Sequence, residues 1–334
     1  MKRIAVLTSG GDAPGMNACI RAIVLTAHRN QIEVIGYRHG YNGLLKREYQ
    51  PLHPGDVVNI IQRGGTILRS ARCPEFVSTE SAERAAQNLN DMHIDALLII
   101  GGNGSFMGAE HLGRHWDGQI ITLPGTIDND ITGTDGTIGY YTAIDTALEA
   151  IDKVRDTADA FERIFLIEVM GRHAGFIGLN AAIGSGAEQM LLPELVDDGN
   201  AIDLKQIMRH VKVTREKRGM CSYIIVITEN LYPGGANALA TKLTEEMNVD
   251  CKPVILGYIQ RGGSPVSMDR ILATKLGAYA VEAARDGKHL IMIGEQNHNV
   301  VEIPLEQTRS SKKPLDPYLV EIQQDFFDLV KNPV

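Results

Sequence analysis

Two aspartates two positions apart, in Pro124-Gly125-Thr126-Ile127-Asp128-Asn129-Asp130, carry the most direct chemical content of this sequence. Moving a phosphoryl group onto a hydroxyl needs a base at the attacking oxygen and groups that offset charge around the phosphate, often with Mg²⁺. Carboxylates at i and i+2 on one loop can divide that work, Asp128 taking the hydroxyl proton and Asp130 holding or orienting a metal. The same residues also read as an Asx-rich turn, because Asp and Asn side chains close turns on their own backbone.

Two glycine-rich turns accompany the acid stretch. Thr8-Ser9-Gly10-Gly11-Asp12 stands between an apolar run and a helix-like segment. Glycines there let backbone N–H groups approach phosphate oxygens at a helix amino terminus. The alternative is a tight turn with Asp12 as the helix cap. The second turn, Gly101-Gly102-Asn103-Gly104-Ser105-Phe106-Met107-Gly108, is neither a dinucleotide fingerprint nor a Walker A loop, since its third glycine is misplaced and no GK[ST] follows. Nor does the chain carry the HRD and DFG elements of protein kinases. Two such turns point to a nucleotide and a second phosphorylated molecule.

The elements that must position these turns are apolar runs of strand length: Ile4–Leu7, Glu33–Gly36, Ala96–Ile100, Ile120–Leu123, Phe165–Val169, Ser222–Thr228 and Val254–Leu256. Between them lie stretches of helical period, including Met16 to about Ala27 and Ala143–Arg155, the latter a helix suited to bridging two lobes. Continuous apolar strands alternating with helices predict an α/β fold with parallel sheets covered on both faces. In such sheets ligands bind beyond the carboxyl ends of the strands, where this chain places GGD, GGNGS, PGTIDND, MGR and TEN. Arg-Gly-Gly at Arg63–Gly65 and Arg261–Gly263 reads as two separate turns, neither a repeat nor an RNA-binding segment.

At 334 residues the chain exceeds a single ordinary core, which predicts two domains. A net charge of −8 argues against nucleic-acid and anionic-membrane partners. Cys19, Cys73, Cys221 and Cys251 show no CxxC spacing, which argues against zinc and disulfides and fits a reducing cytosol. No signal peptide and no apolar run of ~20 residues is present. The expected location is cytoplasmic.

The motifs together resemble the ATP-dependent 6-phosphofructokinases of the bacterial type. The resemblance runs in order through LTSGGDAPGMN at Leu7–Asn17, GGT–L–SAR at Gly64–Arg72, PEF at Pro74–Phe76, GGNGS at Gly101–Ser105 and PGTIDND at Pro124–Asp130. It continues with EVMGR at Glu168–Arg172, ITE at Ile227–Glu229 and IQRGGSPV–DRILA at Ile259–Ala273. It implies two three-layer α/β lobes with mainly parallel sheets and the active site in the cleft between them. Residues 1–139 plus about 260–308 would form the nucleotide lobe, and 140–259 plus about 309–334 the sugar-phosphate lobe. Gly11, Arg72, Cys73, Gly102, Asn103, Gly104 and Ser105 would bind ATP, with Mg²⁺ as cofactor. Thr126, Asp128, Asp130, Arg172 and Gly11 would face the transferred phosphoryl group, Asp128 as general base. Arg163 from a neighbouring subunit, Met170, Gly171, Arg172, Glu229, Lys252, Tyr258 and Arg261 would hold fructose 6-phosphate. An arginine fork suits a sugar phosphate; the other reading of Arg172 and Arg261 is a surface salt bridge. The family implies a homotetramer. Glycines at 104 and 125, where the pyrophosphate-using branch has Asp and Lys, favour ATP.

Three departures stand out against that pattern. Asn103 replaces an aspartate associated with Mg²⁺, keeping a carbonyl oxygen but losing its charge, which leaves Asp130 as the principal metal residue. Lys252 and Tyr258 replace an arginine and a histidine before the QRGG turn. The effector site keeps Arg21, Arg155 and Glu188, with Arg215, Lys217 and Arg218 nearby, but has Leu25 and Pro54 where arginines are usual, so weak or absent allosteric control is expected. The leading expectation is phosphorylation of fructose 6-phosphate to fructose 1,6-bisphosphate. A weakly active or non-catalytic regulatory paralogue and a kinase for another sugar phosphate are the alternatives.

Overall fold

The computed structural model describes residues 1–196, 202–219 and 222–327. Strand β1 (Arg3–Ser9) leads to helix α1 (Met16–Arg29), β2 (Glu33–Tyr37), the short α2 (Tyr41–Lys46) and β3 (Tyr49–Leu52). Next come α3 (Thr79–Asp91), β4 (Ala96–Gly101), α4 (Asn103–Gly113), β5 (Gln119–Pro124) and the long α5 (Tyr140–Phe161). Then follow β6 (Ile164–Val169), α6 (Phe176–Ser185), β7 (Gln189–Leu191), α7 (Leu204–Arg218), β8 (Tyr223–Thr228), α8 (Gly235–Met247) and β9 (Cys251–Ile255). α9 (Ser267–Arg285), β10 (Ile291–Gln296), β11 (Asn299–Pro304) and α10 (Pro317–Phe327) complete the described chain.

The chain divides into two compact units: Met1–Ile127, Ile131–Thr142 and Arg261–Lys313 form the first, and Asp128–Asp130, Ala143–Gln260 and Pro314–Val334 the second. The first contains a seven-stranded sheet in the order β11-β10-β5-β4-β1-β2-β3. Every residue of β4, Ala-Leu-Leu-Ile-Ile-Gly, is buried. A strand apolar on both faces is stable only in the middle of a covered parallel sheet, and β4 pairs parallel with β1 and β5. The edge strands β3 and β11 are antiparallel. Pro51 is tolerated in β3 because an edge strand can spare an N–H.

α3 shows how local sequence sets packing here. Ser78 caps it by accepting the Ser81 N–H at 3.2 Å, and Ala82, Ala85, Ala86 and Leu89 form the buried stripe. Ala85, Ala86 and Leu89 of that stripe join Leu97, Ile99 and Phe106 in one core cluster. α1 and α9 pack together with their apolar sides buried. The chain passes from β1 to β2 on one side and later to β4 on the other, so its order reverses between β1 and β4.

The second unit holds four parallel strands in the order β7-β8-β6-β9. Ile164 and Leu166 of β6 join Ile207 and Val211 of α7 and Leu239 and Leu243 of α8 in a separate core. Residues at odd numbers in β6 point to the opposite face, following the two-residue period of a strand.

Candidate active site

In the first unit, pairing register sets three turns at one level. Ser9 of β1 lies opposite Gly101 of β4, and Gly101 lies opposite Pro124 of β5. The turns beginning at Gly10, Gly102 and Gly125 therefore leave the same edge of the sheet, beside the point where strand order reverses. This is where an open α/β sheet leaves room for a ligand.

The first turn is fastened from below. The Thr8 hydroxyl donates to the Arg69 carbonyl at 2.9 Å, and the Ser70 hydroxyl donates to the Gly10 carbonyl at 2.7 Å. Gly10 has φ +87°, a left-handed value that glycine takes without strain. A cavity of about 310 Å³ is lined by Gly10, Gly11, Asp12, Thr66, Arg69 and Ser70. Asp12 is not the cap of α1, whose cap position is Gly15 with no side-chain hydrogen bond. That removes the capping alternative, because Ala13 and Pro14 separate Asp12 from the cap. The Arg261 guanidinium donates from Nη1 to the Asp12 carbonyl at 3.2 Å.

The second turn opens α4. Gly102 is its cap residue, and its carbonyl accepts the N–H groups of Ser105 at 2.9 Å and Phe106 at 3.1 Å. Asn103 and Gly104 thus occupy the first turn of a helix, whose N–H groups and positive partial charge favour an anion. The two glycines at 104 and 125 differ in cause. A β-carbon on Gly104 would meet nothing within 4 Å, whereas one on Gly125 would lie 2.8 Å from Ile100 Cγ2 and 3.1 Å from Met16 Cε. Gly104 leaves open space, and Gly125 is demanded by packing whatever the phosphoryl donor.

Tyr41 stacks on Phe76 at 4.1 Å and donates its hydroxyl to the Ser105 carbonyl at 2.6 Å, tying α2 to the start of α4. Arg72 is exposed, with its carbonyl accepting from Asn42 Nδ2 at 3.0 Å. Cys73 packs against the core cluster, and burial pushes its thiol above the ordinary range, so it is no nucleophile. Cys19 and Cys251 are also unbridged; Cys221 lies outside the described residues.

The acid turn is a built turn. Thr126 is buried, and its carbonyl accepts the Thr137 hydroxyl at 2.6 Å. Asn129 is buried at φ +54°, a conformation Asn tolerates, and the partly exposed Asp128 and Asp130 flank it. The Asx reading therefore describes the backbone of this turn. Among the described residues no group of three His, Cys, Asp or Glu is placed to hold a metal. Asn103 in the first unit and Asp130 in the second each carry an oxygen donor of the kind a hard cation takes.

In the second unit the carboxyl ends of β6 and β8 adjoin. Arg172, at φ +57°, donates its backbone N–H to Glu229 Oε1 at 3.2 Å, and Glu229 N–H bonds the Val169 carbonyl at 2.8 Å. Met170 N–H donates to Gln260 Oε1 at 2.7 Å. Among the described residues neither Arg172 nor Arg261 forms a salt bridge. Tyr258 is 84% exposed.

Arg163 and Lys252 are placed differently. Arg163 immediately precedes β6, and Lys252 is paired with Phe165 near the amino end of β9. Both bind the Asp250 carboxylate, at 2.7 and 2.8 Å. Six strand residues separate Arg163 from Met170, roughly 20 Å at about 3.3 Å each. Within this unit Arg163 and Lys252 do not join Arg172 and Glu229.

The effector residues are largely engaged internally. Arg155 donates to the Ser185 and Gly186 carbonyls and pairs with Glu188, whose Oε2 accepts the Ile224 N–H at 2.8 Å. Arg215 donates to the Glu162 carbonyl at 2.7 Å. Arg21, on α1, is half-buried, and Lys217 lies on α7.

Sequence reasoning did not assign roles to Thr66, Arg69, Ser70 and Gln260. Their signal was present, since each lies within or beside a motif stretch, GGT–L–SAR or IQRGGSP, in which only neighbouring residues drew attention.

Glycine turns and an acid turn at the carboxyl edge of mainly parallel sheets define an α/β phosphoryl-transfer type of protein. The family model described as Phosphofructokinase matches residues 3–284, and the chain belongs to the phosphofructokinase family. It is 48% identical over 324 residues to ATP-dependent 6-phosphofructokinase 1 of Thermus thermophilus, covering 97% of this chain and 99% of that one. It is 44% identical over 325 residues to the ATP-dependent 6-phosphofructokinase of Bacillus subtilis, again covering 97% and 99%. Among solved structures, Pichia pastoris phosphofructokinase in the T-state superposes with a TM-score of 0.85 at 32% identity, over 99% of this chain and 37% of that longer one. A pyrophosphate-dependent phosphofructokinase from Marinobacter aquaeolei shares the fold at a TM-score of 0.82 and 21% identity, over 95% of this chain and 86% of that one.

Proposed function

We propose that this chain is an ATP-dependent 6-phosphofructokinase, a phosphotransferase that converts fructose 6-phosphate to fructose 1,6-bisphosphate in glycolysis. The observation that carries the reading is the shared register of Ser9, Gly101 and Pro124, which starts the two glycine turns and the acid turn at one sheet edge. The first unit binds ATP, its phosphates lying against Gly11 and the α4 amino terminus at Gly102–Ser105, with Arg72 and Cys73 beside the nucleotide. Asp128 takes the proton from the attacking sugar hydroxyl, and Thr126 and Arg172 face the phosphoryl group in transfer. Mg²⁺ would be held by Asp130, the Asn103 carbonyl and the nucleotide's own phosphates, and supplies charge neutralisation there.

The second unit binds the sugar phosphate through Met170, Gly171, Arg172, Glu229 and Tyr258. Arg163 and Lys252 sit at the amino ends of their strands, so they serve the sugar phosphate of a neighbouring copy. That division of labour supports a homotetramer, working in the cytoplasm. Among the described residues no helix is long and apolar enough to cross a membrane. The internal engagement of Arg155 and Glu188 supports weak response to effectors.

The test is a coupled assay of the purified protein with ATP, Mg²⁺ and fructose 6-phosphate. Turnover that vanishes in Asp128→Ala supports the reading. Binding of both ligands without turnover would replace it with a regulatory paralogue.

A further inference from the structure

The cavity beside the first glycine turn contains an unbalanced charge problem. Of its six lining residues only Asp12 and Arg69 are ionic. Asp12 adds an acidic residue to the wall of a space that, on the reading above, admits the phosphates of a nucleotide. Like charges brought within a few ångströms of one another repel. The two hydroxyls offer little compensation: Thr66 Oγ1 lies 3.0 Å from Thr8 Oγ1 and accepts the Leu68 N–H, and Ser70 donates to Gly10. The Gly10 N–H is directed to the Ala71 carbonyl at 3.4 Å.

Arg69 is the only cation in that lining. Among the described residues it forms no ion pair, although Asp12 lines the same cavity. Its backbone is held by three bonds in sequence: its N–H donates to the Thr66 carbonyl at 3.1 Å, its carbonyl accepts from Thr8, and the next residue fastens Gly10. Its φ of +58° is unusual for an arginine, and such a conformation persists only where the surroundings enforce it. An arginine fixed at the backbone, paired with no carboxylate and lining a cavity beside a glycine turn, is equipped to take a phosphate with its two-pronged donor.

We propose that Arg69 is a nucleotide-phosphate-binding residue, a counter-charge that, beside the Arg261 guanidinium over Gly11, lets a cavity lined by Asp12 accept the phosphates of ATP. The inference rests on the assignment of the first unit to ATP. It implies that part of the charge neutralisation at this turn comes from the protein itself and acts without metal.

Binding of ATP in EDTA, of ATP with Mg²⁺ and of adenosine should be measured by calorimetry for the unaltered protein, Arg69→Gln and Arg69→Lys. Arg69→Gln is expected to bind ATP at least tenfold more weakly in EDTA, to bind adenosine equally, and to raise the KM for ATP without moving that for fructose 6-phosphate. Arg69→Lys, which keeps the charge and loses the fork, should fall between. Equal ATP affinity in Arg69→Gln and the unaltered protein would overturn the role of Arg69 while leaving the kinase reading intact. Failure of the unaltered protein to bind ATP at all would overturn both. Should Arg69→Gln fold poorly, an Arg69→Lys protein with unaltered ATP affinity in EDTA and unchanged salt dependence would equally refute the fork contact.

Discussion

The guanidinium of Arg261 lies over the α-carbon of Gly11: a β-carbon there would stand 2.7 Å from Nη1, which itself donates to the neighbouring Asp12 carbonyl. A residue from the QRGG turn thereby shapes the turn after β1, although 250 positions separate them in sequence. The Arg63–Gly65 turn joins the same arrangement, because a β-carbon on Gly64 would lie 2.2 Å from the Gly263 carbonyl oxygen. Asn17 secures it, donating to the Arg63 carbonyl and accepting the Ile67 N–H at 2.7 Å.

These two glycines predict opposite phenotypes. In Gly11→Ala the obstacle is the tip of a flexible side chain, so stability should change by less than about 1 kcal/mol, while displacement of Arg261 raises the KM for substrate. In Gly64→Ala the obstacle is backbone, so overpacking should cost about 1–3 kcal/mol in urea unfolding. Equal stability of the two variants would contradict the geometry.

Asp128→Asn should lower kcat by about 10²–10⁴-fold, the usual contribution of a positioned base, with ATP affinity unaltered. Single-turnover kinetics with saturating ligands measure this. A variant that kept full kcat would remove Asp128 from the chemistry.

Asn103→Asp places a carboxylate in the first turn of α4, where the helix dipole favours negative charge by about 0.3–1 kcal/mol. It also restores a charged donor for a hard cation. The Mg²⁺ concentration giving half-maximal activity at fixed ATP should fall, together with a small gain in thermal stability. Unchanged Mg²⁺ dependence would separate residue 103 from the metal.

Asp269 supplies a pH prediction. Fully buried at the start of α9, it accepts Gly139 N–H at 2.8 Å, Thr142 N–H at 2.7 Å and the Thr142 hydroxyl at 2.5 Å. Burial nevertheless raises its carboxyl from 3.8 to about 6. Because the folded value is the higher, the stability it contributes is complete below about pH 4 and is lost as pH rises through about 6. The difference is of order 3 kcal/mol at about 1.4 kcal/mol for each pH unit. Asp269→Asn should flatten that part of the stability profile and, by turning an amide N–H₂ toward backbone donors, cost about 1–3 kcal/mol elsewhere. Urea unfolding at several pH values checks it, and an unchanged slope in Asp269→Asn would assign the titration to another group.

The buried strands were legible in advance. Ala96–Ile100 and Phe165–Val169 are continuous apolar runs, and they occupy β4 and β6 almost residue for residue. β3, β7, β10 and β11 were not foreseen. β3 and β7 are short, part-exposed edge strands and β11 is of mixed polarity, whereas the apolar run Leu290–Ile293 at β10 was present in the sequence and was passed over.

By itself the sequence determined the class of architecture, the turns that carry chemistry and their order, because apolar runs, glycine turns and acid pairs are local patterns. Only the tertiary structure decided that Ser9, Gly101 and Pro124 share a level, that Arg163 and Lys252 meet at Asp250 away from Arg172, and that Arg69 lines the same cavity as Gly11. Strand register and cavity walls join residues tens to hundreds of positions apart. They are set by which surfaces bury one another, a relation that no local window of sequence contains.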